Sequence, residues 1–262
     1  MPGPPGADQD LDMIGQLNSG IRALLIDVHH WTTPPEVRAF LDSLPADQRA
    51  AVEPFTAGPQ SARPGLWLCH NLCQLGGREL TGELARVRGW LAANPTAIVT
   101  FVVQDEVPAR EVMDAFRQAG LERYLLTPPD SPSGSWPRLG DMVAQDRKLV
   151  VFAEQADIVG SWYRRLFRYA SDTPYDVTTT DGFACEPNRG STTAPMPLIN
   201  HWVTVAAPSR YDATIVNRRA SLEAHVRSRE QARDRRPTFL AVNFSAIGDV
   251  VETVSRLNGG RR

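Results

Sequence analysis

Short, nearly continuous apolar runs alternate along this chain with stretches of helical periodicity, and that alternation limits the folds open to it. Ile21-Arg-Ala-Leu-Leu-Ile-Asp-Val28, Leu66-Trp-Leu-Cys69, Ala97-Ile-Val-Thr-Phe-Val-Val103, Leu149-Val-Val-Phe-Ala153, Pro197–Val203 and Thr238–Phe244 read as strands. A further strand is expected within 176–186. Between them, residues 9–19 place Leu11, Ile14 and Leu17 on one helical face, stopped by Ser19-Gly20. Leu80, Leu84, Val87 and Leu91 mark a second helix ended by Asn94-Pro95. A third covers 109–119, and Ile247, Val250, Val254 and Leu257 align on a last one. Proline-rich stretches at 54–64 and 127–137 read as surface loops. Strands apolar on both faces and interleaved with helices indicate a parallel sheet covered on both sides. About seven such strands approach the eight of a (β/α)8 TIM-type barrel, and a doubly wound open sheet fits the alternation too. No glycine-rich phosphate loop follows any strand, so no nucleotide cofactor is expected.

The chain has 262 residues with net charge −2, a balance that gives no global basic field for nucleic acid. No apolar run spans a bilayer, and Met1-Pro-Gly-Pro-Pro-Gly has no signal core, so the chain as written is expected to stay in the cytoplasm where it was made. The first eight residues read as a disordered segment, leaving one monomeric domain over 9–260. Cys69, Cys73 and Cys185 make an odd set without zinc-site spacing; buried thiols or one disulfide are the readings.

Strand ends are where chemistry concentrates in a parallel barrel, and here they are polar. The first carries Asp27, His29 and His30, with Asp27 and His29 in step with Ala23 and Leu25 on one face. The others end in His70, Gln104-Asp105-Glu106, Glu154, Asn200-His201-Trp202, and Asn243 with Ser245. Any one of these also fits a polar strand cap or a satisfied core histidine. Converging histidines and carboxylates together favour a site, one suited to phosphodiester chemistry: a neutral imidazole takes a proton from a hydroxyl and a protonated one donates to the leaving oxygen.

Gln16-Leu-Asn-Ser-Gly-Ile-Arg22 running into Asp27-Val-His29, and Leu68-Cys-His70-Asn71 before a helix and Ile98-Val-Thr-Phe, resemble two motifs of phosphatidylinositol-specific phospholipase C X domains. Trp136–Gly140, Arg147–Glu154, Thr173-Pro-Tyr175, Asn188-Arg-Gly190, Asn200–Val203 and Gly248-Asp249 are similar to the bacterial and fungal branch of that superfamily. The resemblance covers residues 9–260 and implies a TIM-type barrel. It also implies a reaction, attack of a substrate hydroxyl on phosphorus with release of a lipid alcohol. His70 matches the second catalytic histidine, the general acid. Asp27 matches a catalytic strand position that in metal-dependent relatives helps bind Ca2+, and Gln104 falls near a metal-ligating glutamate. Glu154, Arg189, His201 and His29 are the expected substrate contacts, and the partner is a phospholipid-type phosphodiester reached through peripheral membrane contact.

Three departures accompany the resemblance. The family's first histidine belongs on a strand ahead of the helix at 9–19, and no histidine precedes that helix here. A truncated start is therefore expected, which would also have removed a secretory or anchoring segment. Gln104 is neutral, which weakens a calcium site. Asn71 stands where the family has glycine. His29 and His201 are the candidates to replace the missing base. A catalytically silent barrel binding headgroups or a protein is the rival from another class. A glycerophosphodiester phosphodiesterase barrel fits less well, since its His-Arg pair and paired acidic ligands are not evident.

Overall fold

The computed structural model describes residues 7–56, 61, 63–205 and 207–259. In chain order the elements are α1 (Met13–Ser19), β1 (Ala23–His30), α2 (Pro34–Ser43), α3 (Ala46–Thr56), β2 (Leu66–Leu68), β3 (Arg78–Glu79), α4 (Leu80–Ala93), β4 (Val99–Asp105) and α5 (Ala109–Gln118). They continue with α6 (Leu139–Ala144), β5 (Leu149–Ala153), β6 (Tyr163–Arg165), α7 (Leu166–Tyr169), β7 (Ala170–Asp172), β8 (Met196–Asn200), α8 (Arg210–Val216), α9 (Arg219–Arg233), β9 (Phe239–Ala241) and α10 (Val250–Leu257). The molecule is mixed α/β. Its described strands form two sheets, one ordered β3-β2-β1-β4-β5-β6 and one ordered β7-β8-β9, and no ladder closes them into a barrel.

The chain divides into two compact units. The first holds the six-stranded sheet. β4, β5 and β6 pair in parallel, with Val103 against Ala153 and Ala153 against Arg165. All five residues of β5 are buried, as a strand covered on both faces requires. α4 buries Leu80, Leu84, Val87 and Leu91 and starts where the Glu79 carboxylate accepts the Thr81 and Gly82 N–H groups. The lone lysine, Lys148, is buried and donates to the Leu91 and Pro95 carbonyls at the end of that helix, at 3.0 and 3.2 Å.

The expectation of a wholly parallel sheet is corrected at one side. β1 and β2 are antiparallel, with Val28 opposite Leu68 and His30 opposite Leu66, and β2 pairs antiparallel with β3. The return is made through α2 and α3. Residues 54–56, expected in a loop, end α3 instead, while 57–60 and 62 of that expected loop lie outside the described residues.

The second unit holds β7, β8 and β9, all parallel, with α1 and α7 to α10. α1 is capped by Asp12, whose carboxylate accepts the Gly15 N–H, and ends at Gly20 with φ 110°. The Asp8 carbonyl accepts the Phe244 N–H at 2.7 Å; residues 1–6 of the stretch expected to be disordered lie outside the described set. No strand forms within 176–186, where a short 3-10 turn covers Thr180–Gly182.

Candidate active site

In the first unit the hairpin of β1 and β2 decides where His70 lies. Antiparallel pairing puts His29 opposite Trp67, and the Cys69 N–H donates to the Asp27 carbonyl at 3.3 Å. Cys69 therefore faces Asp27, and His70 follows it at once, in an exposed bend beyond the strand. A disulfide between Cys69 and Cys73 closes that bend, which resolves the cysteine alternatives; Cys185 is a free thiol. The Cys73 N–H donates to Thr32 Oγ1 at 3.0 Å and the Gln74 amide to the Thr32 carbonyl at 2.9 Å, pinning the bend to the end of β1. Asn71 sits at φ 62°, the left-handed region that glycine enters freely and asparagine tolerates best among the rest. That geometry accounts for the asparagine in place of the expected glycine.

The other expected residues of this unit fall in one row. In the parallel pair of β4 and β5 the Glu154 N–H donates to the Val103 carbonyl at 2.8 Å, which sets Glu154 abreast of Gln104. The Glu106 N–H donates to the Val28 carbonyl at 3.2 Å in the same pattern, which sets Gln104 abreast of Asp27. Cys69, Asp27, Gln104 and Glu154 thus occupy adjacent positions across four neighbouring strands, at the spacing of about 4.8 Å per strand. Asp27 and His29 share the less buried face of β1 with Leu25, as the alternation requires. His29 is half-buried; His30, on the opposite face, pairs with Glu111 at 2.8 Å.

Asp105, quoted in the sequence only as part of a polar strand end, is buried and accepts the Gln155 and Ala156 N–H groups at 2.9 and 3.1 Å. Burial, with the Asp105 carboxylate alongside, pushes the Tyr163 phenol far above its ordinary value. Asp157 accepts from the fully buried Arg164 Nε at 2.7 Å. Together these hold the loop that follows Glu154.

Calcium asks for six to eight oxygen ligands. Asp27 and Gln104 supply one carboxylate and one amide, and among the described residues no group of three or more His, Cys, Asp or Glu side chains could hold a metal ion.

The second unit contains Arg189 and His201. Arg189 is paired to the buried Asp172 carboxylate through its Nε and Nη2, at 2.9 and 2.7 Å. His201, expected as a substrate contact or a substitute base, is fully buried, and both ring nitrogens are engaged. Its Nε2 lies 2.8 Å from the Val216 carbonyl and so carries the hydrogen; its Nδ1 then accepts from His225 Nδ1–H at 2.8 Å. Phe183 stacks on both rings, at 4.6 and 4.7 Å. Burial lowers the pKa of His201, and burial with the neighbouring imidazole lowers that of His225 to about 4. This pair is core: Leu222, His225, Val226 and Arg229 form one buried face of α9, a helix not expected from the sequence.

Comparison with known proteins agrees with this arrangement of motifs. A PI-PLC X domain-containing protein of Arabidopsis thaliana is 26% identical over 272 residues, covering 96% of this chain and 55% of the relative. A protein of Arthroderma benhamiae described as an uncharacterized secreted protein is 23% identical over 274 residues, covering 95% of this chain and 55% of its own. The chain thus spans about half the length of the curated relatives it matches. No solved structure matches. The PI-PLC X profile matches residues 50–258, most of the chain, and the chain belongs to the PI-PLC X family.

Proposed function

We propose that this chain is a phosphodiesterase of phospholipase C type with a TIM-type fold, acting on phospholipid-like phosphodiesters, with His70 as general acid. One observation supports the reading: the antiparallel return of β2 sets Cys69, the residue before His70, opposite Asp27 and in line with Gln104 and Glu154. In the reaction a substrate hydroxyl attacks phosphorus and loses its proton to a base. The phosphorus–oxygen bond to the lipid alcohol breaks, and imidazolium His70 gives that oxygen its proton. A cyclic phosphodiester remains, which water can open by the reverse proton transfers.

His29, two residues beyond Asp27 on the same face, is the candidate base, and Asp27 orients the imidazole or the hydroxyl. Proton transfers of this kind contribute about 10²–10⁴-fold each. Membrane contact is supported by the loop after Glu154, whose Ile158 and Val159 side chains are 40% and 69% exposed. No helix among the described residues is long and apolar enough to cross a membrane. The relative described as secreted supports a secreted protein.

The test is cleavage of phosphatidylinositol and other phosphodiesters by the wild type and His70→Ala, at matched thermal stability. The expected result is a loss of at least about 100-fold. Unchanged cleavage by His70→Ala, or binding of headgroups without any cleavage by the wild type, overturns the reading and leaves a silent binding domain.

A further inference from the structure

We infer that the Cys69–Cys73 disulfide is the positioning device for His70: it ties the weakly paired end of β2 to an anchored turn, and the chain acquires its full turnover only once that bond has formed. The inference rests on the phosphodiesterase reading for the role of His70 as acid.

The two ends of the bend are held unequally. On the β2 side the ladder closes with Leu68 opposite Val28. The next contact, from the Cys69 N–H to the Asp27 carbonyl, is 3.3 Å long, beyond the usual span of an N–H···O bond. The far side is anchored. Cys73 is buried and donates its N–H to Thr32 Oγ1 at 3.0 Å, and Leu72 packs with Val37 and Leu41 of α2. His70 is exposed and stands one residue from the weaker end, with Asn71 in left-handed backbone beyond it. The disulfide joins Cys69 to the anchored end, its two Cα atoms 4.9 Å apart, so the imidazole is carried on a closed ring of residues 69–73.

The size of that ring argues against a role as a global staple. A cross-link restricts the unfolded chain more the longer the loop it closes, and these cysteines are only four positions apart. What so short a bridge fixes is the local path of the backbone, and His70 lies on that path. The bond is also shielded. Cys69 and Cys73 are buried with Trp31, Trp67 packs against them, and the Arg63 guanidinium lies over the Trp31 ring at 4.4 Å. Thiol exchange needs access to a sulfur, so a bond made during folding persists afterwards. It forms by exchange with a disulfide-bearing partner, to which the two thiol hydrogens and two electrons pass and which leaves as a dithiol. Where thiols are kept reduced the chain folds with its acid loosely held, and full turnover begins in an oxidising compartment.

The experiment compares the oxidised wild type, the wild type folded in a reducing buffer, C69A/C73A, H70A and H70A/C69A/C73A, each checked by thermal unfolding. Two soluble phosphodiesters are used, one losing an alkyl alcohol and one losing p-nitrophenol, whose anion departs without needing a proton. On the alkyl ester, kcat should fall about 10- to 100-fold in C69A/C73A and in the reduced wild type. The loss on the nitrophenyl ester should be much smaller, since an acid matters little there. Adding C69A/C73A to H70A should cost nothing further on the alkyl ester, because both changes act through one imidazole. Equal losses on the two esters, or a further loss in the triple variant, overturn the positioning role. So does the finding of three alkylatable thiols, instead of Cys185 alone, in the oxidised wild type unfolded in denaturant.

Where C69A/C73A fails to fold, the reduced wild type carries the comparison; failure of both makes the bond a folding requirement and overturns the inference. The His70 Hε1 proton resonance, assigned by its absence from H70A, gives a readout without turnover and should shift or broaden when the bond is lost. No cleavage of either ester by the oxidised wild type would sink the phosphodiesterase reading. The resonance then still decides the positioning of His70: a changed signal upholds it, and an unmoved one overturns it.

Discussion

At the scale of single residues, burial of ionisable groups is the strongest determinant of what this protein will do when conditions change. His225 is held neutral in the folded state, with a pKa of about 4 against an ordinary 6.5. Between those values the unfolded chain binds the extra proton and the folded chain does not. Stability is therefore full above about pH 6.5, falls as the pH drops toward 4, and levels off below it, with a loss of up to roughly 3 kcal/mol. Urea midpoints measured at several pH values across that window, for the wild type and His225→Asn, check this. A variant with the same slope as the wild type would show that the histidine pair is not the cause. His201 illustrates how far the sequence reaches. Its place after an apolar run looked like a strand end open to a ligand, but a sequence cannot show that α8 and α9 close over it. Asp27, His29 and Leu25 were legible on one face because strand alternation depends on the backbone alone.

At the scale of elements, long apolar segments were readable and short polar ones were not. β5 lies where the sequence puts it, since five buried residues leave a continuous apolar run. β3, β6 and β7 went unread: each has two or three residues, and Arg78-Glu79 or Tyr163-Arg-Arg165 carry no apolar signature. α9 was missed for a related reason, being rich in arginine and burying only one narrow stripe.

The loop from Glu154 to β6 shows what such an element can do. Asp105 holds its first N–H groups, Asp157 pairs with Arg164, and Tyr163 N–H donates to Ser161 Oγ at 3.1 Å. A loop braced at both ends displays Ile158 and Val159 to solvent, the apolar tip on which the proposed membrane contact rests. Replacing both with serine should cut hydrolysis of vesicle substrate about tenfold and leave a soluble phosphodiester unaffected. Equal losses on both substrates would assign the tip to catalysis or folding instead.

At the scale of the whole molecule, alternation of strand and helix gave the α/β class, and the sequence could not reveal that one strand, β2, runs against its two neighbours. Antiparallel pairing is a property of the connection, and α2 and α3 look in sequence like any crossover between parallel strands. Because β2 runs back along β1, the separation of Asp27 and Cys69, the residue before His70, is set by the ladder and not by the chain that joins them. Thr32, α2 and α3 fill the span between the two strands, with Thr32 pinning the bend that follows β2; lengthening such a connection costs little, since doubling a flexible loop adds only about 0.6 kcal/mol in closure entropy. A peptide tag grafted between Thr56 and Arg63 should leave phosphodiester turnover and thermal midpoint close to those of the parent, whereas the same graft between His70 and Cys73 should abolish turnover. A protein built this way can change the outer decoration of its first strand pair, in size and in chemistry, while the pairing of Cys69 with Asp27 beneath it is kept.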